Sequence, residues 1–248
     1  MQIKLSCEKQ GITDAIFRMG SEQQQTKREV IMAGRCIIIG AGDLTVGEIP
    51  MKEEDLVIAV DGGLSYCSVL ALEPDYVIGD FDSITEKERE VVEVLKREIP
   101  DRIVELSVEK DDTDMLAALK LGLSLGYRDF RIYAGCGGRF DHTLANIQCL
   151  LYLKNHDAVG YLMDGEGMIL VLQNESVEFS PDLEGYLSLF SLGKEAKGVH
   201  IRGMKYPLTD YTMRNDFPIG ISNEFIGEKS FIGVEDGELV CMIQYVAE

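Results

Sequence analysis

The chain has 248 residues, 46% apolar and 27% charged, enough to bury a sizeable core in one large domain or two modest ones. Its 43 acidic and 24 basic side chains give a net charge of −19, which argues against a nucleic-acid partner, whose electrostatic footprint would be basic. A nucleotide stays open, because a metal can bridge carboxylates to phosphates. No apolar stretch is long enough to span a membrane, and the first 34 residues lack the apolar core of a signal peptide.

The leader is polar from Gln10 to Val30 and carries Gln23-Gln24-Gln25. It is read as an appendage, residues 1–33, ahead of a domain that begins near Met32; the alternative is a helix packed on that domain. From Cys36 the pattern alternates short apolar runs with amphipathic stretches. Strands are expected at Cys36–Ile39, Leu56–Val60, Tyr76–Ile78, Ile103–Leu106 and Phe130–Ala134. Helices are expected at Leu64–Leu72, Glu86–Glu98, Asp114–Leu125 and Thr143–Asn155. This alternation points to βαβ units and a parallel sheet. In Glu86–Glu98 the apolar positions Val91, Val92, Leu95 and Ile99 are expected to share one face, and Pro100 to stop the helix.

Around Asn155–Gly165 the texture changes. Helical periodicity fades into short segments: Met168–Leu172, Ser176–Phe179, Tyr186–Phe190, Gly198–Ile201, Gly220–Phe225, Ser230–Val234 and Leu239–Tyr245. Gly, Asn, Asp and Pro punctuate them, as in an antiparallel sandwich or barrel. The fold class is therefore an α/β domain with a parallel sheet, residues 34–157, followed by an all-β domain, residues 158–248. The cysteines (Cys7, Cys36, Cys67, Cys136, Cys149 and Cys241) form no Cys-x-x-Cys pair and lie mostly in apolar surroundings. They read as reduced, buried residues of a cytosolic protein. With His142, His156 and His200 as the only histidines, at no ligand spacing, a zinc site is not expected.

The chemistry concentrates where the expected strands end. Gly79-Asp80-Phe81-Asp82 follows the third strand, and Lys110-Asp111-Asp112-Thr113-Asp114 follows the fourth. Asp80 and Asp82 are two apart, so in extended backbone they point the same way. Two close carboxylates repel unless a cation sits between them. Mg²⁺ is held by one or two carboxylates plus substrate phosphates, so metal binding is favoured here over solvated loop aspartates. Before the third expected helix, Thr113 or Asp112 serves as its cap, but capping does not use all of the acids Asp111, Asp112 and Asp114. Lys110 either reaches a phosphate or balances local charge.

Gly40-Ala41-Gly42-Asp43 either brings backbone N–H groups to a phosphate or simply makes a tight turn, and the turn is favoured because Thr45 stands where a dinucleotide fingerprint wants glycine. For Asp61, before Gly62-Gly63, a ligand role at the sheet's carboxyl edge and a helix cap weigh equally. Gly135-Cys136-Gly137-Gly138-Arg139-Phe140-Asp141-His142 clears space with glycines and offers the planar fork of Arg139 to phosphate oxygens. Asp141 and His142 begin the helix; His142 either bonds Asp141 or a backbone carbonyl or contacts a ligand, and in this glycine-rich, arginine-bearing setting the ligand contact is favoured.

In order along the chain, Asp61-Gly62-Gly63, Pro74 to Ser83, Lys110 to Asp114, Gly137 to Asn146, Gly203 to Leu208 and Gly220 to Phe225 resemble the thiamine pyrophosphokinase family. The resemblance runs from about Cys36 to the end and leaves residues 1–33 unmatched. It implies an α/β nucleotide-binding domain and a β-sandwich, a homodimer with the active site at the subunit interface, and transfer of pyrophosphate from ATP to thiamine with release of AMP. It implies that Asp80, Asp82 and Asp114 are catalytic and hold Mg²⁺. It also implies that Asp61, Lys110, Arg139, Asp141 and His142 line the ATP site, and that Tyr206, Ser222 and Asn223 bind thiamine. Some family members stack thiamine on a tryptophan; this chain has none, so either Phe or Tyr supplies that wall or the pocket differs. Two other readings stand beside it: a pyrophosphokinase for a pterin alcohol, and a non-catalytic ATP- or thiamine-sensing module.

Overall fold

The computed structural model describes residues 34–81, 84–106 and 112–246. Contacts within the chain separate a unit ending at Gly165 from one beginning at Glu166.

In the first unit the apolar runs become strands β1 Cys36–Ile39, β2 Leu56–Val60, β3 Tyr76–Gly79, β4 Ile103–Glu105, β5 Asp129–Tyr133 and β6 Val159–Asp164. All neighbours pair in parallel, in the order β6-β5-β1-β2-β3-β4. Strands covered on both faces need no polar alternation, and every residue of β1 and β2 is buried. The covering helices are α1 Gly63–Val69, α2 Glu86–Glu98, α3 Asp114–Ser124 and α4 Phe140–Lys154. One sheet face, with Ile37, Ile39, Val57, Ala59 and Val77, packs on Leu64 and Cys67 of α1, on Leu70 just beyond it, and on Val92 and Leu95 of α2. On the other face α3 approaches closely: a Cβ at Gly122 would lie 2.6 Å from the Phe130 ring. Burying each Ile or Leu in such a core contributes about 1.5–3 kcal/mol.

Two local expectations are corrected. Val91 does not join the inner face of α2 but is exposed, as is Val94. Val92 and Leu95 set the buried stripe, and Val91 lies one residue, or about 100°, off it. Helix α4 starts at Phe140, three residues before the expected Thr143, because Arg139 takes the extended N-cap conformation directly after the glycines. The helix-stopping role of Pro100 is seen: α2 ends at Glu98 and Pro100 opens a short 3₁₀ turn.

Within the second unit the strands pair antiparallel in two sets of four. One has the order β12 (Asn223–Glu224), β9 (Gly185–Ser191), β14 (Glu238–Tyr245), β7 (Gly167–Gln173). The other has β11 (Leu208–Arg214), β10 (Glu195–Arg202), β13 (Ser230–Gly233), β8 (Ser176–Phe179). The chain passes between the sheets at nearly every connection. Along β9 burial alternates residue by residue, with Leu187 and Leu189 buried and Tyr186 exposed, as one packed face requires.

Candidate active site

The order of the parallel strands fixes where a ligand can sit. From β1 the chain runs outward through β2, β3 and β4, then returns to place β5 on the other side of β1. The strand order therefore reverses between β1 and β5, and α/β sheets bind ligands at the carboxyl edge of such a switch point. A cleft of 440 Å³ lies there, lined by Gly40, Gly42, Asp43, Asp61, Thr113, Asp114, Gly137, Arg139, His142 and Asn146 among others.

Its floor is backbone held tightly together. Gly40 N–H donates to Tyr133 O, Gly42 N–H to Ala134 O and Asp43 N–H to Cys136 O, each at 2.8 Å. A Cβ at Gly42 would sit 2.2 Å from the Cys136 carbonyl oxygen. The favoured turn reading of this loop holds. Three of its four N–H groups serve the neighbouring loop and are not available to a phosphate. Its glycines exist for close approach.

The anion-binding character comes from two helix starts. Thr113, Asp114 and Met115 bring the N-terminus of α3 to the cleft, and Arg139 and His142 bring that of α4. Such ends carry partial positive charge and unpaired N–H groups. Thr113 caps α3, its hydroxyl accepting from Leu116 N–H at 3.2 Å. Asp112 is held instead by Lys120 at 2.6 Å. Helix α4 has no side-chain cap, which suits it to an anionic ligand.

Strained backbone marks the strand ends. Asp61, Phe81 and Ala134 have φ of 47°, 57° and 49°. Non-glycine residues hold such angles only where their surroundings enforce them, and they concentrate at functional sites. Asp61 follows β2 and donates its N–H to Ile78 O at 2.9 Å. A Cβ at Gly79 would lie 2.0 Å from Asp61 Oδ1, so the glycine before Asp80 makes room for the Asp61 carboxylate. Asp80 is half-buried beyond β3. Arg89 of α2 donates from Nη2 to Phe81 O at 3.1 Å and steadies this turn.

The structure thus brings Asp61, Asp114, Arg139 and His142 to one cleft. Asp82 and Lys110 lie outside the described residues. Asp141 is exposed and holds the fork of Arg139 through Nε at 3.1 Å and Nη2 at 2.5 Å; this pairing keeps the Asp141 carboxyl down at about 2. Among the described residues no three metal-ligating side chains cluster. Cys36, Cys67, Cys136, Cys149 and Cys241 form no disulfide among the described residues, and burial raises the Cys67 thiol to about 12 and the Cys149 thiol to about 11. Cys136, in the glycine loop, is only half-buried.

Two supports have no signal of their own in the sequence. Tyr66 of α1 donates its hydroxyl to Gly42 O at 2.9 Å, and the buried Asn146 donates Nδ2 to Gly135 O at 2.7 Å. Asn146 closes the Gly-Gly-Arg-Phe-Asp-His motif one helical turn on, which is the one clue to its role.

In the second unit the three expected thiamine-binding residues differ in kind. Asn223 is buried and three of its amide's four hydrogen-bonding positions are used: Oδ1 accepts from Tyr206 N–H at 2.9 Å and from Glu224 N–H at 3.0 Å, and Nδ2 donates to Tyr206 O at 2.8 Å. It is a clamp on the Tyr206 backbone. The Tyr206 ring is 58% exposed, with Lys205 Nζ 5.6 Å from its centroid. Lys205 is itself paired with Glu224 at 2.6 Å. Ser222 is exposed at φ 57°, and its N–H donates to Ser188 Oγ at 3.1 Å.

The chain is thus a two-part protein: a parallel α/β sheet with a glycine-lined, carboxylate-bearing cleft at its switch point, followed by an antiparallel β unit. Residues 49–161 match the family described as thiamin pyrophosphokinase, catalytic domain, and residues 174–239 match thiamin pyrophosphokinase, vitamin B1 binding domain. The thiamine pyrophosphokinase of Bacillus subtilis (strain 168) is 30% identical over 189 residues, 76% of this chain and 86% of the relative. A crystal structure of thiamine pyrophosphokinase from Bacillus subtilis covers 86% of this chain and 100% of its own, at TM-score 0.75 and 27% identity. The yeast thiamin pyrophosphokinase structure shares the fold at TM-score 0.67 and 16% identity, covering 88% of each chain. The chain belongs to the thiamine pyrophosphokinase family.

Proposed function

We propose that this protein transfers pyrophosphate from ATP to the hydroxyl of thiamine, giving thiamine diphosphate and AMP. The observation that carries the reading is the single cleft between the starts of α3 and α4, where Asp61, Asp114, Arg139 and His142, from separate stretches of sequence, converge. Family membership supplies the substrates. The thiamine hydroxyl oxygen bonds to the β-phosphorus, the bond from that phosphorus to the α–β bridging oxygen breaks, and AMP leaves with the electron pair. The hydroxyl proton passes to a carboxylate of the aspartate set. Such a transfer rests on positioning and charge neutralisation, which the helix starts, Arg139 and His142 provide. Lys110 adds a further cation, and Asp141 sets the orientation of Arg139.

Mg²⁺ fits the donors present: Asp80 and Asp114 are hard oxygen ligands at the same edge of the sheet, and Mg²⁺ needs only one or two carboxylates when phosphates complete its shell. Asp80, Asp82 and Asp114 would hold it, and it would neutralise charge on the phosphates. Residues 34–157 carry ATP. The antiparallel β unit carries thiamine, with the Tyr206 ring as an aromatic wall and Ser222 and Asn223 beside it. The working form is a cytoplasmic homodimer with its active sites at the subunit interface, and residues 1–33 are an appendage dispensable for turnover. Supporting the dimer, Tyr186, Phe217, Ile219, Ile221 and Ile226 expose apolar surface around the edge strand β12. The test is to incubate the protein with Mg²⁺, ATP and thiamine and separate the products: thiamine diphosphate and AMP in equal amounts are expected, and ADP or no thiamine ester would refute the reading.

A further inference from the structure

We propose that Asp43 reads the ribose of the nucleotide and so sets nucleotide preference, an inference that rests on the ATP reading above. The loop that bears it is fixed on all sides. Its backbone donates to the β5 loop at Gly40, Gly42 and Asp43, and Tyr66 holds the Gly42 carbonyl from α1. Across the cleft, Gly137 (φ +87°) leaves the space the carboxylate fills: a Cβ there would lie 2.1 Å from Asp43 Oδ2. Asp43 is exposed to the cleft, and no hydrogen bond or ion pair to its carboxylate forms among the described residues. It is a rigid acceptor waiting for a donor.

The identity of that donor follows from charge. A carboxylate only accepts, and it repels phosphate oxygens. The phosphates belong instead at the starts of α3 and α4. Asp43 also stands two strands from the Asp80 turn, about 10 Å at the usual strand spacing, away from the reacting end. On ATP the remaining donors are the adenine 6-amino group and the vicinal 2′- and 3′-hydroxyls, and only the hydroxyls present two donor oxygens side by side to a two-oxygen acceptor. Hydrogen bonds to a charged group typically confer about 10- to 100-fold in affinity.

The experiment compares ATP with 2′,3′-dideoxy-ATP in wild type, Asp43→Ala and the shape-conserving Asp43→Asn, with ligand-free melting as a control for folding. Asp43→Ala should lower kcat/KM for ATP about 10- to 100-fold, chiefly through KM, and change it less than about twofold for the dideoxy nucleotide. Asp43→Asn should fall between, and it decides the matter if the alanine variant does not fold. Equal losses with both nucleotides, a rise confined to the KM of thiamine, or no loss would overturn the assignment while leaving pyrophosphoryl transfer standing. A wild-type protein that turns over neither nucleotide would overturn both.

Discussion

The two units build their surfaces in opposite ways. In the α/β unit, glycines bring loops together until there is no room for a Cβ, and the cleft is shaped by backbone, with few side chains at chosen points. In the β unit, the exposed Tyr206 ring is held by one buried amide, Asn223, and apolar side chains stand in solvent around a short edge strand. The first arrangement suits a highly charged ligand with many oxygens, which backbone N–H groups and helix ends can surround. The second suits a flat, partly apolar ring. The difference also predicts how each unit fails. Damage to the backbone-built cleft should cost stability and ATP use together, whereas damage to the clamp should act on one substrate.

The largest effect should come from Asp114→Asn, which removes a charge from the cleft without changing shape. Turnover should fall about 10²- to 10³-fold with ligand-free melting unchanged. Retained activity at saturating Mg²⁺ would detach Asp114 from the chemistry. Next, Gly42→Ala forces a Cβ to 2.2 Å from the Cys136 carbonyl and should separate the β1 and β5 loops. A loss of about 1–3 kcal/mol, or several degrees in Tm, should accompany a raised KM for ATP. A variant that melts normally would mean the loops give way easily and the backbone-built account is wrong.

Asn223→Ala leaves the Tyr206 N–H and carbonyl without their partner. The KM for thiamine should rise about tenfold with that for ATP unmoved, since a lost buried amide is worth about 1–3 kcal/mol. The same variant tests whether sites are shared between subunits. Mixed with Asp114→Asn under subunit exchange, it should recover roughly a quarter of wild-type activity, because half the dimers are mixed and each has one undamaged site. No recovery despite exchange would place the whole site in one chain.

The smallest effect concerns the base of the α/β unit. Burial raises the Asp55 carboxyl, but hydrogen bonds from Arg35 and Lys52 and the Arg35 charge bring it below its usual value. A depressed carboxylate stabilises the fold above its unfolded pKa of about 3.9, and that contribution is lost as pH falls through the lower folded value. Stability should therefore hold from pH 7 to about 5 and decline below about 4, and Arg35→Leu should flatten that decline. An acid limb unchanged in the variant would remove Asp55 from the account.

The α/β half was largely legible in the sequence because its signals are local. Fully buried strands read as unbroken runs such as Cys-Ile-Ile-Ile, and glycine or aspartate after each marks the carboxyl edge. Strand β11, Leu208–Arg214, went unread because only Met213 along it is buried, so there was no alternation to see. Strand β6 fell where the texture changes, and its partner β5 lies some thirty residues earlier. Site supports were harder still. Tyr66, Arg89 and Asn146 act through hydrogen bonds to backbone carbonyls elsewhere in the chain; nothing in their neighbours announces it for Tyr66 and Arg89, and Asn146 has only its place at the end of a motif. Asn223 was marked by its motif, but only the geometry reveals a clamp.

The central claim is that thiamine attacks the β-phosphorus of ATP, and labelled ATP tests it most directly. With wild-type protein, thiamine and Mg²⁺, ATP labelled separately at the α- or β-phosphorus should send the β label wholly into thiamine diphosphate and the α label wholly into AMP. A β label recovered in ADP, with only the γ-phosphoryl group on thiamine, would contradict it.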